Sequence, residues 1–249
     1  MSLSRDQLIV SGALAAVTGL AWAYLYWMSN SMGGMGGEGA TSQARTLVDG
    51  MFLFLMWTIM MVGMMLPSAA PMTLLYAGMA RKADRQGMPM PPTAAFVAGY
   101  LVVWIAFSLG ATVIQWGLHE AALLSPMMVS RSPVLGGGLL ILAGLYQLTP
   151  WKTVCLDHCR SPAHFFAQHW RPGGLGAFRL GLHHGAFCLG CCWALMGLLF
   201  VGGVMNLLWI AGISMFVFLE KILPVHIFGP QWKLLTGGSL IFSGLVVLS

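Results

Sequence analysis

Charge is what this sequence has least of. Asp, Glu, Lys and Arg make up 8% of its 249 residues, against about a quarter in soluble domains. A water-facing surface cannot be built from so few, which excludes an ordinary soluble domain. The 12 Lys and Arg form no run of the kind that tracks a phosphate backbone, so nucleic acid is not an expected partner. No Gly-x-x-x-x-Gly-Lys-Ser/Thr pattern occurs, which argues against energy drawn from bound ATP. A small-x-small cleavage site is missing after the first apolar run, and that run, Leu8 to Met28, exceeds the length of a signal-peptide core. It reads as an uncleaved anchor ending in an aromatic belt of Trp22, Tyr24, Tyr26 and Trp27.

Apolar residues are abundant: 58% of the chain before its 32 glycines are counted. Stretches long enough to cross a hydrocarbon layer, about 20 helical residues, fall near 7–28, 52–79, 94–117, 133–150, 180–202, 204–220 and 232–249. The expected fold is all-α: one domain over residues 1–249, a polytopic membrane bundle of about seven transmembrane helices. The second span contains Pro67 and Pro71 and is expected to kink or break there, its missing backbone bonds met by neighbouring helices or a ligand. Residues 137–145 match 237–245 at six of nine positions, and 102–106 resemble 207–211. Both pairs lie three helices apart, the spacing of a 1+3+3 plan with an inverted repeat, although short apolar matches also arise by chance. Glycine pairs such as Gly181 and Gly185 offer smooth faces for close helix approach.

Orientation follows from the basic residues. With the N-terminus inside, ten lie in cytoplasmic segments (Arg5, Arg81, Lys82, Arg85, Lys152, Arg160, Arg171, Arg179, Lys221, Lys233) and two, Arg45 and Arg131, outside. The N-terminus is therefore expected in the cytoplasm and the C-terminus outside.

All 5 cysteines fall in two short stretches. Cys155, His158 and Cys159 lie on the segment after the fourth span, read as a loop. The fifth span opens with His183, His184, Cys188, Cys191 and Cys192. On a helix His184, Cys188, Cys191 and Cys192 recur at spacings of four, three and four, so they share a face; His183 sits beside it. Packing as a small hydrophobe would explain one cysteine. It explains poorly five gathered with several histidines and none elsewhere. Thiolate and imidazole suit Cu(I) or Zn(II), and Cys155 with Cys159 resembles half of a zinc site, though no standard finger is matched. Copper ion is favoured and zinc ion is the alternative, because methionine adds a second soft donor: Met56, Met60 and Met64 form an i, i+4, i+8 stripe flanked by Met61 and Met65. Thioethers favour Cu(I), while methionine equally serves as a filler of irregular cores. With Met32 and Met35 in the outer Gly-rich loop, the order suggests a path from thioether to thiolate. His164, His169, His119, Glu120 and the adjacent Glu220 and Lys221 read as ordinary solvated or interfacial groups.

Residues 56–72 and 183–196 resemble a bacterial family of unknown function described as predicted metal-binding integral membrane proteins. The resemblance runs from the second helix to the sixth. It implies a multi-pass protein of the bacterial inner (plasma) membrane that binds metal, with the methionines of 56–72 and the His/Cys set of 183–192 as the matching positions. Expected partners are the lipid bilayer and a metal ion, with a homo-oligomer or a larger membrane complex as the setting. Three functions remain open: transport or delivery of a soft metal; a thiol–disulfide oxidoreductase using Cys188/Cys191 with Cys155/Cys159; and a subunit or assembly factor of a membrane metalloenzyme.

Overall fold

The computed structural model describes residues 5–34, 47–88, 90–124, 129–169, 173–223 and 230–249. The fold is all-helical, and among the described residues no strand forms. The helices are α1 (Arg5–Gly34), α2 (Leu47–Arg85), α3 (Thr93–Glu120), α4 (Pro133–Leu148), α5 (Pro150–Arg160), α6 (Pro162–His169), α7 (Gly173–Gly197), α8 (Leu199–Gly202), α9 (Leu207–Ile222) and α10 (Pro230–Leu248). Met35, Arg45 and Arg171 lie outside the described residues.

The bundle buries several polar groups within its apolar core and is apolar outside as well. Lys152, Glu220, Lys221, His184, Gln115 and Gln147 are buried, whereas Leu20, Val134, Leu208 and Phe242 stand exposed. Water penalises that surface and hydrocarbon does not. Among the described residues, five helical stretches are long and apolar enough to cross a membrane: Gln7–Ser31, Leu47–Arg85, Thr93–Glu120, Gly173–Gly202 and Gln231–Leu248. A sixth is reached if α4 and α5, bent by 66° at their junction, count together. The count of seven is not reached on length, because the expected span at 204–220 is α9, only 16 residues long.

The segment after α4 is helical rather than a loop. Pro150 has no N–H with which to continue α4, and Thr149 caps the new helix, its Oγ1 accepting from the Lys152 N–H at 3.3 Å. α5 turns back against α7, with which it packs extensively.

α2 runs unbroken through both prolines. Pro67 has no N–H for the carbonyl of Gly63 four residues back, and the Trp22 indole of α1 donates to that oxygen instead, at 3.2 Å. The two helices approach closely here, since a Cβ at position 63 would lie 3.2 Å from that of Ala21.

Two seams fix the rest. Between α3 and α7, a Cβ on Gly99 would lie 2.0 Å from the Phe178 carbonyl oxygen, and one on Gly181 2.0 Å from that of Phe96. Between α4 and α10, Gly137 faces Gly244 and Leu248, while Gly144 faces Gly237 and Ile241. That second seam is antiparallel and locally twofold, and its two sides are the matching stretches 137–145 and 237–245. The sequence similarity thus has a packing counterpart: each copy presents its glycines to the other.

Candidate metal centre

The sulfur atoms gather at mid-length of the long helices. Met65 and Ser68 sit near the middle of Leu47–Arg85, and Cys188 near the middle of Gly173–Gly202. Met56, Met60, Met61, Met64 and Met65 on α2 share one apolar core with Cys188, Cys191, Cys192 and Met196 on α7, and Cys155 and Cys159 pack against it from α5. Gly181 and Gly185 let α3 approach α7, which brings Tyr100 into this core.

Cys188 is the hub. Its Sγ lies 3.2 Å from the Tyr100 hydroxyl and 2.8 Å from the Lys221 amine. Tyr100 donates its one proton to the Met65 carbonyl at 3.0 Å, so toward Cys188 it serves as acceptor. Lys221 Nζ also donates to Ser68 Oγ at 3.1 Å. The thiols of Cys191 and Cys192 fold back to donate to the Cys188 carbonyl at 3.0 and 2.8 Å. The Cys192 sulfur stands 4.0 Å from Met65 Sδ, and Cys159 packs against the same core from α5. Thiols are weak donors, so these backbone tethers are easily exchanged for a better partner. All five cysteines are free thiols.

Cys155 reaches the same helix at a tight spot. A Cβ on Gly190 would lie 2.8 Å from Cys155 Sγ, and the Tyr146 hydroxyl donates to the Gly190 carbonyl. Glycine at 190 is therefore what allows α5 to seat.

The expected set does not meet at one point. Among the described residues, no three His, Cys, Asp or Glu side chains are arranged as a ready metal site. Cys159, Cys188, Cys191 and Cys192 come together; Met65 rather than Met56, Met60 or Met64 is the methionine in sulfur contact, although those three are buried in the same core. His184 is buried one turn from Cys188, its ring stacked on Tyr100 and Phe96 with centroids 5.4 and 5.9 Å away. Among the described residues neither of its ring nitrogens has a hydrogen-bond partner, an unusual cost for a buried imidazole. His158 and His183 lie on the far side of Phe187: the His158 ring stacks on Phe187 at 4.1 Å, and His183 is exposed beside His169.

The main surprise is α9. Glu220 and Lys221, expected at an interface, are both buried. Glu220 pairs with Lys152 at 2.7 Å, accepts from Gln147 Nε2 at 2.6 Å, and its backbone carbonyl accepts from Arg160 Nε at 2.7 Å. Lys152 also donates to Gln147 Oε1, and Gln147 reaches Thr236 at 3.3 Å. This network ties the α4–α5 bend to α9 and so holds Lys221 against Cys188. Two charges within an apolar segment were the available signal.

The donor set suits a soft monovalent ion. Thiols, a thioether and one unpartnered imidazole match Cu(I). A family model described as a copper chaperone, PpoB2, matches residues 54–247, from α2 through α10. No curated protein and no solved structure matches the chain.

Proposed function

The chain belongs to the PpoB2 copper-chaperone family, and on that premise we propose that it is an integral membrane protein that binds and hands on Cu(I) through the sulfur core at α7. Cys188, Cys191 and Cys192 are the ligands, Cys159 assists from α5, and Met65 and His184 flank them. The carrying observation is the Lys221 amine 2.8 Å from Cys188 Sγ, beside the Cys191 and Cys192 thiols, which donate to the Cys188 backbone carbonyl. A cation-sized donor of charge +1 rests on the sulfur, and Cu(I), of the same charge, takes its place while the amine keeps its hold on Ser68. Cu(I) bound by two of these thiols, each losing its proton, carries a net charge of −1 that the still-buried Lys221 ammonium offsets, which matters where desolvated charge is costly.

Delivery fits better than retention, because ligands that return to backbone carbonyls release an ion without leaving buried groups bare. The methionines of α2, Met56 through Met65, extend the soft donors away from the thiols along one helix and form the route by which copper reaches or leaves them. In the cell the chain sits in the bacterial inner membrane with its N-terminus in the cytoplasm and its C-terminus outside, as the distribution of basic residues favours.

The test is Cu(I) loading of the detergent-purified chain under anaerobic conditions, read by X-ray absorption. Sulfur-coordinated copper is expected in the wild type and is lost when Cys188, Cys191 and Cys192 are changed together to Ser. Sulfur-bound copper persisting in that variant refutes the assignment, as does a wild-type chain that takes up none.

A further inference from the structure

Three histidines outside the sulfur core form a chain of their own. His158 of α5, His169 of α6 and His183 of α7 surround Phe187, with ring centroids 6.3 Å apart for His158 and His169 and 5.3 Å for His169 and His183. They come from three helices and from 26 positions of sequence, so the fold gathers them.

Two of the rings are pinned in one tautomer. His158 Nδ1 lies 2.8 Å from the Val154 carbonyl, and His169 Nδ1 lies 3.1 Å from that of Phe165. A carbonyl can only accept, so in the neutral ring Nδ1 carries the proton and Nε2 keeps its lone pair. A ring N–H held by a backbone carbonyl is the arrangement that orients histidine ligands toward a metal. The separations also fit: an ion bonded at about 2.0 Å to one nitrogen of each of two imidazoles places their centroids about 6 Å apart when the bonds are collinear, and closer when they are bent. His183 is exposed and free to turn its ring toward His169.

The surroundings are polar. Asp157, His164 and Gln168, on the same two short helices, are all exposed. The sulfur core is nevertheless adjacent, because His158 precedes Cys159 on α5 and Phe187 precedes Cys188 on α7. Consecutive residues on a helix point in different directions, so each pair offers one group to the rim and one to the interior.

We propose that His158, His169 and His183 form a second, imidazole-only copper site on the polar rim made by α5 and α6, from which the ion passes to the thiols. This rests on copper being the cargo, yet the two sites are separable by ligand type. Imidazole accepts copper and releases it more readily than thiolate does, as a handover position requires.

The wild-type chain in detergent, titrated anaerobically with Cu(I) and read by X-ray absorption, will show a further copper with a nitrogen-only shell once the sulfur-bound copper is complete. His169→Gln and, separately, His183→Gln will remove that copper or weaken it at least about tenfold against a competing chelator, leaving the sulfur-bound copper in place. Retention of the sulfur-bound copper also reports that each variant is folded, and His158→Gln serves as a third variant should either fail that check. Absence of any nitrogen-only copper, or its persistence at full strength in these variants, overturns the proposal. Loss of sulfur-bound copper from the wild type with the nitrogen-bound ion intact would instead overturn the thiol assignment alone.

Discussion

Changing Lys152 to Met leaves Glu220 buried with its ammonium partner gone. The native carboxylate receives Lys152 at 2.7 Å and 3.0 Å on its two oxygens and Gln147 at 2.6 Å; the variant keeps only the neutral amide. Removing one member of a buried pair costs about 3–5 kcal/mol. For a chain of this length each kcal/mol shifts the unfolding midpoint by about 2–4 °C, so a fall of about 6–20 °C is expected. Glu220→Leu, which strands Lys152 instead, should be comparably harmful. Replacing the network together, with Lys152→Met, Glu220→Leu and Gln147→Leu, removes every stranded group and should return stability to the wild-type level or above it. Thermal unfolding in detergent, followed by tryptophan fluorescence, makes the comparison. A triple variant as unstable as the sum of its parts would refute the reasoning, because the network would then be worth its contacts rather than its mutual neutralisation.

Two further outcomes are expected in the same assay. Trp22→Phe strips the Gly63 carbonyl of its donor and should cost about 1–3 kcal/mol; adding Pro67→Ala restores a backbone N–H for that oxygen and should recover the loss, and failure of this rescue would show that Trp22 acts by packing alone. Gly181→Ala pushes a methyl to 2.0 Å from the Phe96 carbonyl oxygen and should destabilise by about 1–3 kcal/mol or more, since backbone has to move. Gly110→Ala, which meets nothing within 4 Å, should stabilise by about 0.5–1 kcal/mol.

The long helices were legible because their cause is local: runs such as 94–117 and 232–249 are mostly apolar, and the helices Thr93–Glu120 and Pro230–Leu248 match them to within a turn at each end. The gathering of cysteines and methionines was legible from spacing on α7 and α2. α5 was not, since Pro150 to Arg160 reads as polar irregular chain until Thr149 and Pro150 are recognised as a helix start. Glu220 beside Lys221 at the end of an apolar run reads as an interfacial pair. Neighbours on a helix diverge by about 100°, however, and these two find partners on different helices, Lys152 and Cys188. Pro67 and Pro71 mark where α2 needs outside help, yet only the tertiary structure reveals that Trp22 supplies it.

The twofold seam of α4 and α10 carries a rule for assembly. Two molecules inserted the same way up hold their α4 helices parallel, so the head-to-tail glycine match cannot form between one α4 and another. It can form only with an α10, the molecule's own or one exchanged with a neighbour. Any dimer built through this surface must therefore be a reciprocal swap of the last helix, and a chain shortened before residue 230 should lose that route altogether.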